Sequence, residues 1–336
     1  MEFIAPELGL PVVVGDRIDC IALAFLREAR TLPTLRERLS SVRDAFRAAR
    51  YERSALRAVT AMTVVGEADA RFLKRLAPGR RVHVVPNGCV LGAPPDPSTK
   101  TPEPTLIFSG VFGFRPNVVA AQFFARHVFP SVRRRVPMAR FIIAGRGTNP
   151  DIVSLGALPG VEVRSDVPDM GELLATAWVA VAPMRSGGGI KNKVLEAWAV
   201  GTPVVMSSLA ANGLTPGYDR GCLVADQPRA LVDAVVRLLT DPDERRRRGQ
   251  AGFEFVRDQH TWGRAADQMT ALLRGALAPS GLDSPRGPSG LADDAGHDGA
   301  PGQVHSPLAP SGLAEPGEAR PGSSEAGGRA VGASLR

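Results

Sequence analysis

The stretch of sequence that decides the fold reads Gly187-Gly188-Gly189-Ile190-Lys191-Asn192-Lys193-Val194-Leu195-Glu196. It follows an apolar run at residues 178–182 that is typical of a buried strand, and it opens a helix predicted to end near residue 200. Glycines let the backbone take left-handed conformations and approach a ligand closely. Two lysines in a first helical turn oppose the helix dipole unless an anion lies there. The pattern therefore predicts a phosphate-binding turn.

Apolar segments alternate with helical segments along the chain, which predicts an α/β fold with parallel sheets. The nine predicted strands are residues 11–14, 61–65, 82–85, 105–108, 141–144, 161–163, 178–182, 203–206 and 222–224. Their continuous apolar character is typical of strands covered on both faces. A long helix is predicted from Thr34, because Thr34 and Glu37 form a capping box. Its apolar residues fall on one face and are Leu35, Leu39, Val42 and Phe46.

These elements group into five segments. They are a partial N-terminal Rossmann-like unit (1–90), a proline-rich linker (91–104), a complete Rossmann-like domain (105–257), a C-terminal helix expected to pack back toward the N-terminal unit (258–275) and a tail (276–336). In the tail, Pro-Ser-Gly-Leu recurs at 279, 288 and 310. Such a composition predicts disorder, because it buries too little apolar area to offset the entropy of ordering.

The composition is typical of a globular protein, with 336 residues, 44% hydrophobic residues and a formal charge of +7. No run reaches the roughly 18 apolar residues that span a bilayer, and no signal-peptide pattern is visible, so a cytoplasmic location is expected. Cys20, Cys89 and Cys222 lie far apart without histidines at metal-binding spacing, which favours a reducing compartment and no metal site.

Two short motifs are interpreted as structural. Residues 241–243 read Asp-Pro-Asp, which has the form of a metal-binding pair, but their position at a helix start favours capping. The arginine run at residues 245–248 has no interleaved aromatic residues and is typical of a solvated helix face. No nucleic-acid partner is therefore expected.

Several fragments between residues 81 and 275 carry a family resemblance. They are residues 85–88, 108–110, 116–117, 143–146 and 189–205, followed by Trp262 at the start of the last helix. In this order and spacing they resemble the nucleotide-sugar-binding half of retaining glycosyltransferases of family four (glycosyl transferases group 1), most closely the exopolysaccharide-type subgroup. The resemblance implies a GT-B-like fold of two Rossmann-like domains and a nucleotide-diphosphate sugar as donor substrate, with no cofactor and no metal.

The resemblance also implies roles for single residues. Glu196 matches a glutamate that hydrogen-bonds the donor ribose, and Lys193, with Lys191 as the other candidate, would neutralise the diphosphate. The donor-binding candidates are Glu196, Gly110, Arg115, Gly187, Gly188 and Gly189. Structural alternatives stay open, namely a solvated glutamate, ordinary surface lysines and a simple tight turn at Gly110.

The sequence departs from the family pattern in two places. Relatives commonly carry a second glutamate, which contacts the donor sugar, where this chain has Gly188. The chain also begins inside the expected N-terminal domain, as if its first strands were missing. Asp16 and Asp19 follow the first predicted strand and are expected to face the cleft between the domains, with helix capping as the alternative. Residues 50–52, Arg-Tyr-Glu, match another family feature to which no role is assigned.

The sequence thus predicts a glycosyltransferase that moves a sugar to a glycan or lipid-linked acceptor, with Lys193, Lys191, Asp16 and Asp19 as catalytic candidates. The arginine-rich helix from Thr34 is expected to contact anionic lipid headgroups, which would place the protein peripherally at the inner membrane face. One alternative is a non-catalytic or vestigial nucleotide-sugar-binding protein without a full acceptor domain. A GT-B epimerase is disfavoured, because only His83 and His127 lie in the predicted core.

Overall fold

Two parallel sheets organise the protein, whose computed structural model describes residues 12–30 and 32–277. The first sheet has the order β1-β2-β3, with strands at Val14–Asp16, Ala61–Val64 and Val82–Val84. Helices α1 (Ile21–Ala29) and α2 (Leu35–Ala58) connect β1 to β2, and α3 (Glu67–Leu76) connects β2 to β3. The three predicted strands are confirmed, although β1 begins later than predicted and Pro11 lies outside the described residues.

The second sheet has six parallel strands. They are β4 (Thr105–Val111), β5 (Arg140–Arg146), β6 (Val161–Ser165), β7 (Val179–Ala182), β8 (Val204–Met206) and β9 (Cys222–Val224). The order β6-β5-β4-β7-β8-β9 reverses between β4 and β7. In open α/β sheets, ligands bind beyond the carboxyl ends of the strands at such a reversal. The six predicted strands are confirmed, and the reversal marks the edge at which to look for a site.

Helices cover both faces of the six-stranded sheet. They are α4 (Arg115–Phe123), α5 (Phe129–Arg135), α6 (Pro150–Val153), α7 (Met170–Thr176), α8 (Asn192–Trp198), α9 (Ser208–Ala211), α10 (Pro228–Thr240) and α11 (Pro242–Gln259), followed by α12 (Trp262–Leu277). A π-helical turn at Phe124–Val128 joins α4 to α5. None of the helices in residues 12–30 and 32–277 is long and apolar enough to cross a membrane. The three tail repeats lie outside the described residues.

Helix α2 has the predicted start but presents an unexpected face to the protein. Thr34 and Glu37 form the capping box. The predicted apolar stripe is exposed, at 71% for Leu35, 61% for Leu39, 47% for Val42 and 66% for Phe46. The buried residues on the other face are mostly small, and they are Ser41, Ala45, Glu52, Ala55 and Leu56. The small side chains fit the close packing of α1 against α2.

Helix α8 is anchored by its last residue. Trp198 is fully buried, and its indole nitrogen donates a hydrogen bond to the Gly221 carbonyl at 2.9 Å. A β-carbon at Gly252 would lie 2.3 Å from the Trp198 ring, so glycine is needed there for α11 to approach. Phe255 packs edge-on against the same ring. Because α8 also carries Lys193 and Glu196, this packing fixes the backbone positions from which both side chains extend.

The start of α11 explains the two motifs interpreted as structural. Asp241 caps the helix by accepting the Glu244 N–H at 2.8 Å, as predicted. The arginine run is only partly a solvated face. Arg245 donates to the Leu238 carbonyl at 2.9 Å and stacks on Trp178, and Arg248 is also partly buried and bonds Glu244. Arg245 thus ties α11 to the end of α10, whereas the bond from Arg248 to Glu244 lies within α11.

Contacts between residues 87–89 and the start of α12 link the N-terminal segment to the end of the described chain. Cys89 donates its backbone N–H to the His260 carbonyl at 2.8 Å and forms an isolated parallel bridge with Thr261. A β-carbon at Gly88 would lie 2.3 Å from the Trp262 nitrogen, so the two segments touch.

Candidate functional site

The triglycine turn lies at the carboxyl edge of the six-stranded sheet, between β7 and α8. Gly187 and Gly189 have φ angles of 103° and 60°, a region that side chains disfavour, whereas Gly188 does not lie in that region. Helix α8 spans seven residues and ends at Trp198, two residues earlier than predicted. Since so short a helix has a small dipole, the charge available to an anion here comes mainly from the lysine side chains.

A cavity of about 820 Å³ opens where the turn faces the ends of β4, β5 and β6, and is called the cleft cavity below. Its polar lining residues are Asp19, Ser109, Asn117, Arg146, Asp169, Lys191, Asn192, Lys193 and Glu196. Val167, Pro168 and Met170 add an apolar wall. The cavity thus combines residues of the six-stranded sheet with Asp19 from the three-stranded one. A broader depression of about 910 Å³, lined by Arg126, His127 and Arg185, shares no residue with it.

Lys193 is held at the end of β4. Its Nζ donates a hydrogen bond to Asn117 Oδ1 at 2.8 Å and lies 3.9 Å from the centroid of the Phe108 ring. Burial lowers the pKa of Lys193 to about 7, although the nearby Glu196 acts in the opposite direction. Gly110 makes room for this arrangement, because a β-carbon there would lie 3.1 Å from Nζ.

Glu196 lies one helical turn after Lys193, on the same side of α8. Its side chain is exposed at the cavity wall, but the surrounding protein removes enough water to raise the pKa of the carboxyl group. Lys193 acts against that rise. An amine and a carboxyl group therefore line one cavity, one helical turn apart.

Lys191 lines the same cavity, but its amine is hydrogen-bonded to the triglycine turn itself. It is 8% exposed, and its Nζ donates hydrogen bonds to the carbonyl groups of Gly188 and Gly189, the latter at 2.9 Å. Burial lowers the pKa of Lys191 to about 8, and Asp19 acts against that change. The two candidate lysines thus differ, because Lys191 braces the turn while Lys193 points across the cavity.

The two candidate aspartates of the three-stranded sheet also differ. Asp19 lines the cleft cavity, whereas Asp16 does not and is exposed at the end of β1, where it accepts a hydrogen bond from Thr63 Oγ1. Neither aspartate caps α1. The Glu52 carboxylate does so instead, by accepting the N–H groups of Ile21 at 2.7 Å and Ala22 at 3.4 Å. The Arg-Tyr-Glu fragment therefore has a structural role through its glutamate.

Arg115 lies outside the cleft cavity. Its side chain is exposed and lines a neighbouring pocket of about 340 Å³ together with Phe114, Gly187 and Asp19. The structure thus brings Glu196, Lys193, Lys191, Gly110, Gly188 and Asp19 together, and leaves Arg115 and Asp16 apart.

Two further polar residues line the site, and two others lie beside the triglycine turn. Asn117 and Arg146 lie inside fragments that carry the family resemblance, so the sequence held a signal for them. Arg27 and Asp69 form an ion pair at 3.7 Å beside the turn. Burial raises the pKa of Asp69 to about 6, while Arg27 lowers it. No motif marked these two residues, because they lie on different helices of the N-terminal unit.

The geometry agrees with comparisons to known proteins. The family model for glycosyl transferases group 1 matches residues 103–241. This part of the chain is similar to the group 1 glycosyl transferases. The match covers β4 to α10, including the triglycine turn and Glu196, and confirms the resemblance found in the sequence.

Two mycobacterial proteins are among the relatives of this chain. It is 31% identical over 163 residues to a GDP-mannose-dependent alpha-(1-6)-phosphatidylinositol monomannoside mannosyltransferase of Mycobacterium tuberculosis, covering 44% of this chain and 42% of that protein. It is 30% identical over 256 residues to an alpha-maltose-1-phosphate synthase of Mycolicibacterium smegmatis, covering 66% of this chain and 65% of that protein. The chain thus spans less than two thirds of either relative.

Solved structures show the fold. A crystal structure of TarM superposes with a TM-score of 0.57 at 12% identity, covering 69% of this chain and 46% of that one. The sucrose-phosphate synthase of Thermosynechococcus elongatus gives 0.55 at 20% identity, covering 69% and 62%. Anabaena HepE, solved in complex with UDP and glucose, gives 0.56 at 14% identity, covering 68% and 67%. The predicted GT-B-like fold is confirmed.

Proposed function

We propose that the protein transfers a sugar from a nucleotide-diphosphate sugar to a glycan or lipid-linked acceptor, with retention of configuration and without a metal ion or cofactor. The observation that carries the proposal is the placement of Lys193 beside Glu196 in the cleft cavity, at the reversal of strand order. The match to the family model supports the reaction class. The Mycobacterium tuberculosis relative, whose name specifies mannosyl transfer to a phosphatidylinositol lipid, favours an acceptor of that general kind.

Each group would have one task in this reaction. Lys193, whose amine has no carboxylate within ion-pair distance among the described residues, would balance the charge that develops on the leaving diphosphate. Glu196 would accept hydrogen bonds from the ribose hydroxyls. The apolar wall at Val167, Pro168 and Met170 would exclude water beside the nucleotide. The acceptor would enter from the side of the three-stranded sheet, past Asp19.

Calorimetry and a transfer assay test this function. Wild-type protein is titrated with UDP, GDP and ADP and with their glucose and mannose conjugates, and sugar release or transfer is then followed with the conjugate that binds. We expect binding of one nucleotide class, with turnover abolished by Lys193→Ala and by Glu196→Ala. Lys74→Ala, on the exposed side of α3, is the matched control and should keep full turnover.

The outcomes separate enzyme from binding protein. Nucleotide binding without any sugar release or transfer would support the alternative, a non-catalytic nucleotide-sugar-binding protein. Absence of binding to every nucleotide would contradict both.

We further propose that α2 brings the protein to an anionic membrane surface. Its exposed apolar stripe of Leu35, Leu39, Val42 and Phe46 lies on a helix that carries seven arginines, namely Arg36, Arg38, Arg43, Arg47, Arg50, Arg53 and Arg57. A helix with an apolar stripe bordered by arginines is suited to the boundary between headgroups and acyl chains. Arginines near anionic headgroups add electrostatic attraction.

Flotation with vesicles tests the membrane contact. We expect the protein to float with phosphatidylcholine mixed with phosphatidylglycerol, more weakly at high salt, and not with phosphatidylcholine alone. Leu39→Ser combined with Phe46→Ser should reduce flotation. Met138→Ser, which changes a 67% exposed side chain on the six-stranded domain, should not. Equal flotation with both vesicle types would remove the proposal.

A cytoplasmic location, at the inner membrane face, is part of the same proposal. Cys20, Cys89 and Cys222 are free and buried. Burial raises the pKa of Cys89 and of Cys222 to about 12, so these thiols stay protonated and unreactive. Buried free thiols suit a reducing compartment.

A further inference from the structure

We propose that Asp19 binds hydroxyl groups of the donor sugar, supplying from the three-stranded sheet a carboxylate that the triglycine turn itself lacks. This inference rests on the proposed function, since it assigns a ligand group to the same cavity. Asp19 would recognise the sugar part of the donor, whereas Lys193 and Glu196 would recognise its nucleotide part.

The first observation is an unsatisfied acceptor. Asp19 Oδ1 is buried and has no hydrogen-bond partner among the described residues. Buried polar atoms in folded proteins nearly always have a partner, because an unpaired acceptor forfeits the hydrogen bonds it made to water. The same side chain lines the cleft cavity with Lys193 and Glu196. The Asp19 carboxylate therefore borders the space that a ligand would occupy, with an acceptor that no described residue satisfies.

The second observation is where that oxygen lies. A β-carbon at Gly188 would be 3.6 Å from Asp19 Oδ1, and one at Gly189 would be 1.8 Å from it. Arg27 and Ala24 of α1 surround the same spot, at 3.5 Å and 3.8 Å from the Gly188 position. The N-terminal unit thus fills the space over the turn. The lack of a side chain at Gly189 is what lets Asp19 come this close.

Positively charged side chains lie close to Asp19. Lys191 is close enough for Asp19 to act on its pKa, and the Arg27 guanidinium lies beside the Gly188 position, where it also pairs with Asp69. Two cations therefore flank two carboxylates. A carboxylate has two oxygens that can accept hydrogen bonds, which suits neighbouring hydroxyl groups of a sugar ring.

Calorimetry with sugarless and sugar-bearing nucleotides tests the role. Asp19→Asn keeps the size of the side chain and removes its charge. We expect it to leave the affinity for the free nucleoside diphosphate within about twofold of wild type and to weaken the matching nucleotide sugar about tenfold or more. Asp267→Asn, exposed on α12, is the control and should change neither affinity. Melting temperatures of all variants establish that they are folded.

A transplanted carboxylate gives the sharper test. Gly188 lies outside the left-handed region, and the nearest neighbours of a β-carbon placed there are at 3.5 Å or more, so a β-carbon fits without a clash. In an Asp19→Ala background, Gly188→Glu should restore part of the preference for the nucleotide sugar, while Gly188→Gln should not. If Asp19→Asn weakens both ligands equally or neither, or if Gly188→Glu restores nothing, the assignment is overturned. A wild-type protein that binds no nucleotide would remove the proposed function and this inference with it.

Discussion

Lys193 is the residue at which burial and charge conflict most directly. Its ammonium loses hydration in the cleft cavity and gains in exchange a neutral hydrogen-bond acceptor, Asn117 Oδ1, and the face of the Phe108 ring. A lysine in that position favours either the loss of its proton or the arrival of an anion. This conflict is the physical basis for expecting a diphosphate there, and it makes binding depend on pH.

We predict that affinity for a nucleoside diphosphate falls as pH rises above 7. The pKa of Lys193 in the free protein is about 7, so above that pH most molecules hold a neutral amine. The bound anion favours the ammonium, so binding then takes up a proton and weakens by up to about tenfold per pH unit. Calorimetry at pH 8 in two buffers of different ionisation enthalpy measures that uptake.

Lys193→Met is the control for this pH dependence, because it keeps the length of the side chain and removes the titrating group. The variant should bind weakly, with less pH dependence and less proton uptake than wild type, and what remains would come from Lys191, whose pKa is about 8. If its pH profile matched that of wild type, a group other than Lys193 would be responsible.

The glycines of the triglycine turn are predicted to differ in how much a substitution lowers the stability of the protein. Gly189→Ala places a β-carbon on Asp19 and forces a side chain into a left-handed conformation, which alone costs about 1–2 kcal/mol. Gly188→Ala meets neither problem. Urea unfolding should show Gly189→Ala clearly destabilised and Gly188→Ala close to wild type. Equal stability of the two variants would contradict the geometry of the turn.

Helix α1 is predicted to depend on Glu52, which lies on α2. Glu52 is fully buried, bonds the first N–H groups of α1 and lies 3.7 Å from Arg17. Glu52→Ala leaves these donors without a partner, at a cost of about 2–4 kcal/mol. Thermal unfolding should shift down by several degrees, whereas the exposed neighbour Arg53→Ala should have little effect. An unchanged midpoint for Glu52→Ala would show that water replaces the cap.

The sequence was sufficient for elements whose signal is local. Continuous apolar runs predicted the nine strands, and adjacent polar residues predicted the Thr34 capping box. On α2, periodicity identified an apolar face, but close packing against α1 selected the face with small residues instead. Periodicity shows that one face of a helix is more apolar than the other, but packing against the neighbouring element determines which face is buried.

Within the site, too, the sequence predicted the contacts that are local in the chain and missed those that join distant residues. Lys193 and Glu196 share one short helix, so their spacing alone predicts that they lie together. The approach of Asp19 to Gly189 joins residues of two different sheets. No local pattern encodes that contact. Nor did any pattern show that Lys191 would bond the carbonyl groups of its own turn.

At the scale of the whole molecule, residues of two sheets line one cavity, so ligand binding should affect the local stability of both sheets. Lys193 and Glu196 belong to the six-stranded sheet, and Asp19 belongs to the three-stranded one. A nucleoside diphosphate without a sugar would contact mainly the first group. A nucleotide sugar would contact both groups, because its hydroxyls are the proposed partners of Asp19.

Hydrogen–deuterium exchange tests this coupling. We predict that a nucleoside diphosphate slows exchange at residues 187–193 alone, and that the matching nucleotide sugar slows exchange there and at residues 16–27. Bound ligand suppresses local opening wherever its contacts must break for the chain to open. Residues 246–250 of α11, which do not line the cavity, serve as the internal control. If the sugar left exchange at residues 16–27 unchanged, the three-stranded sheet would have no part in holding the donor, and its role would be confined to the acceptor.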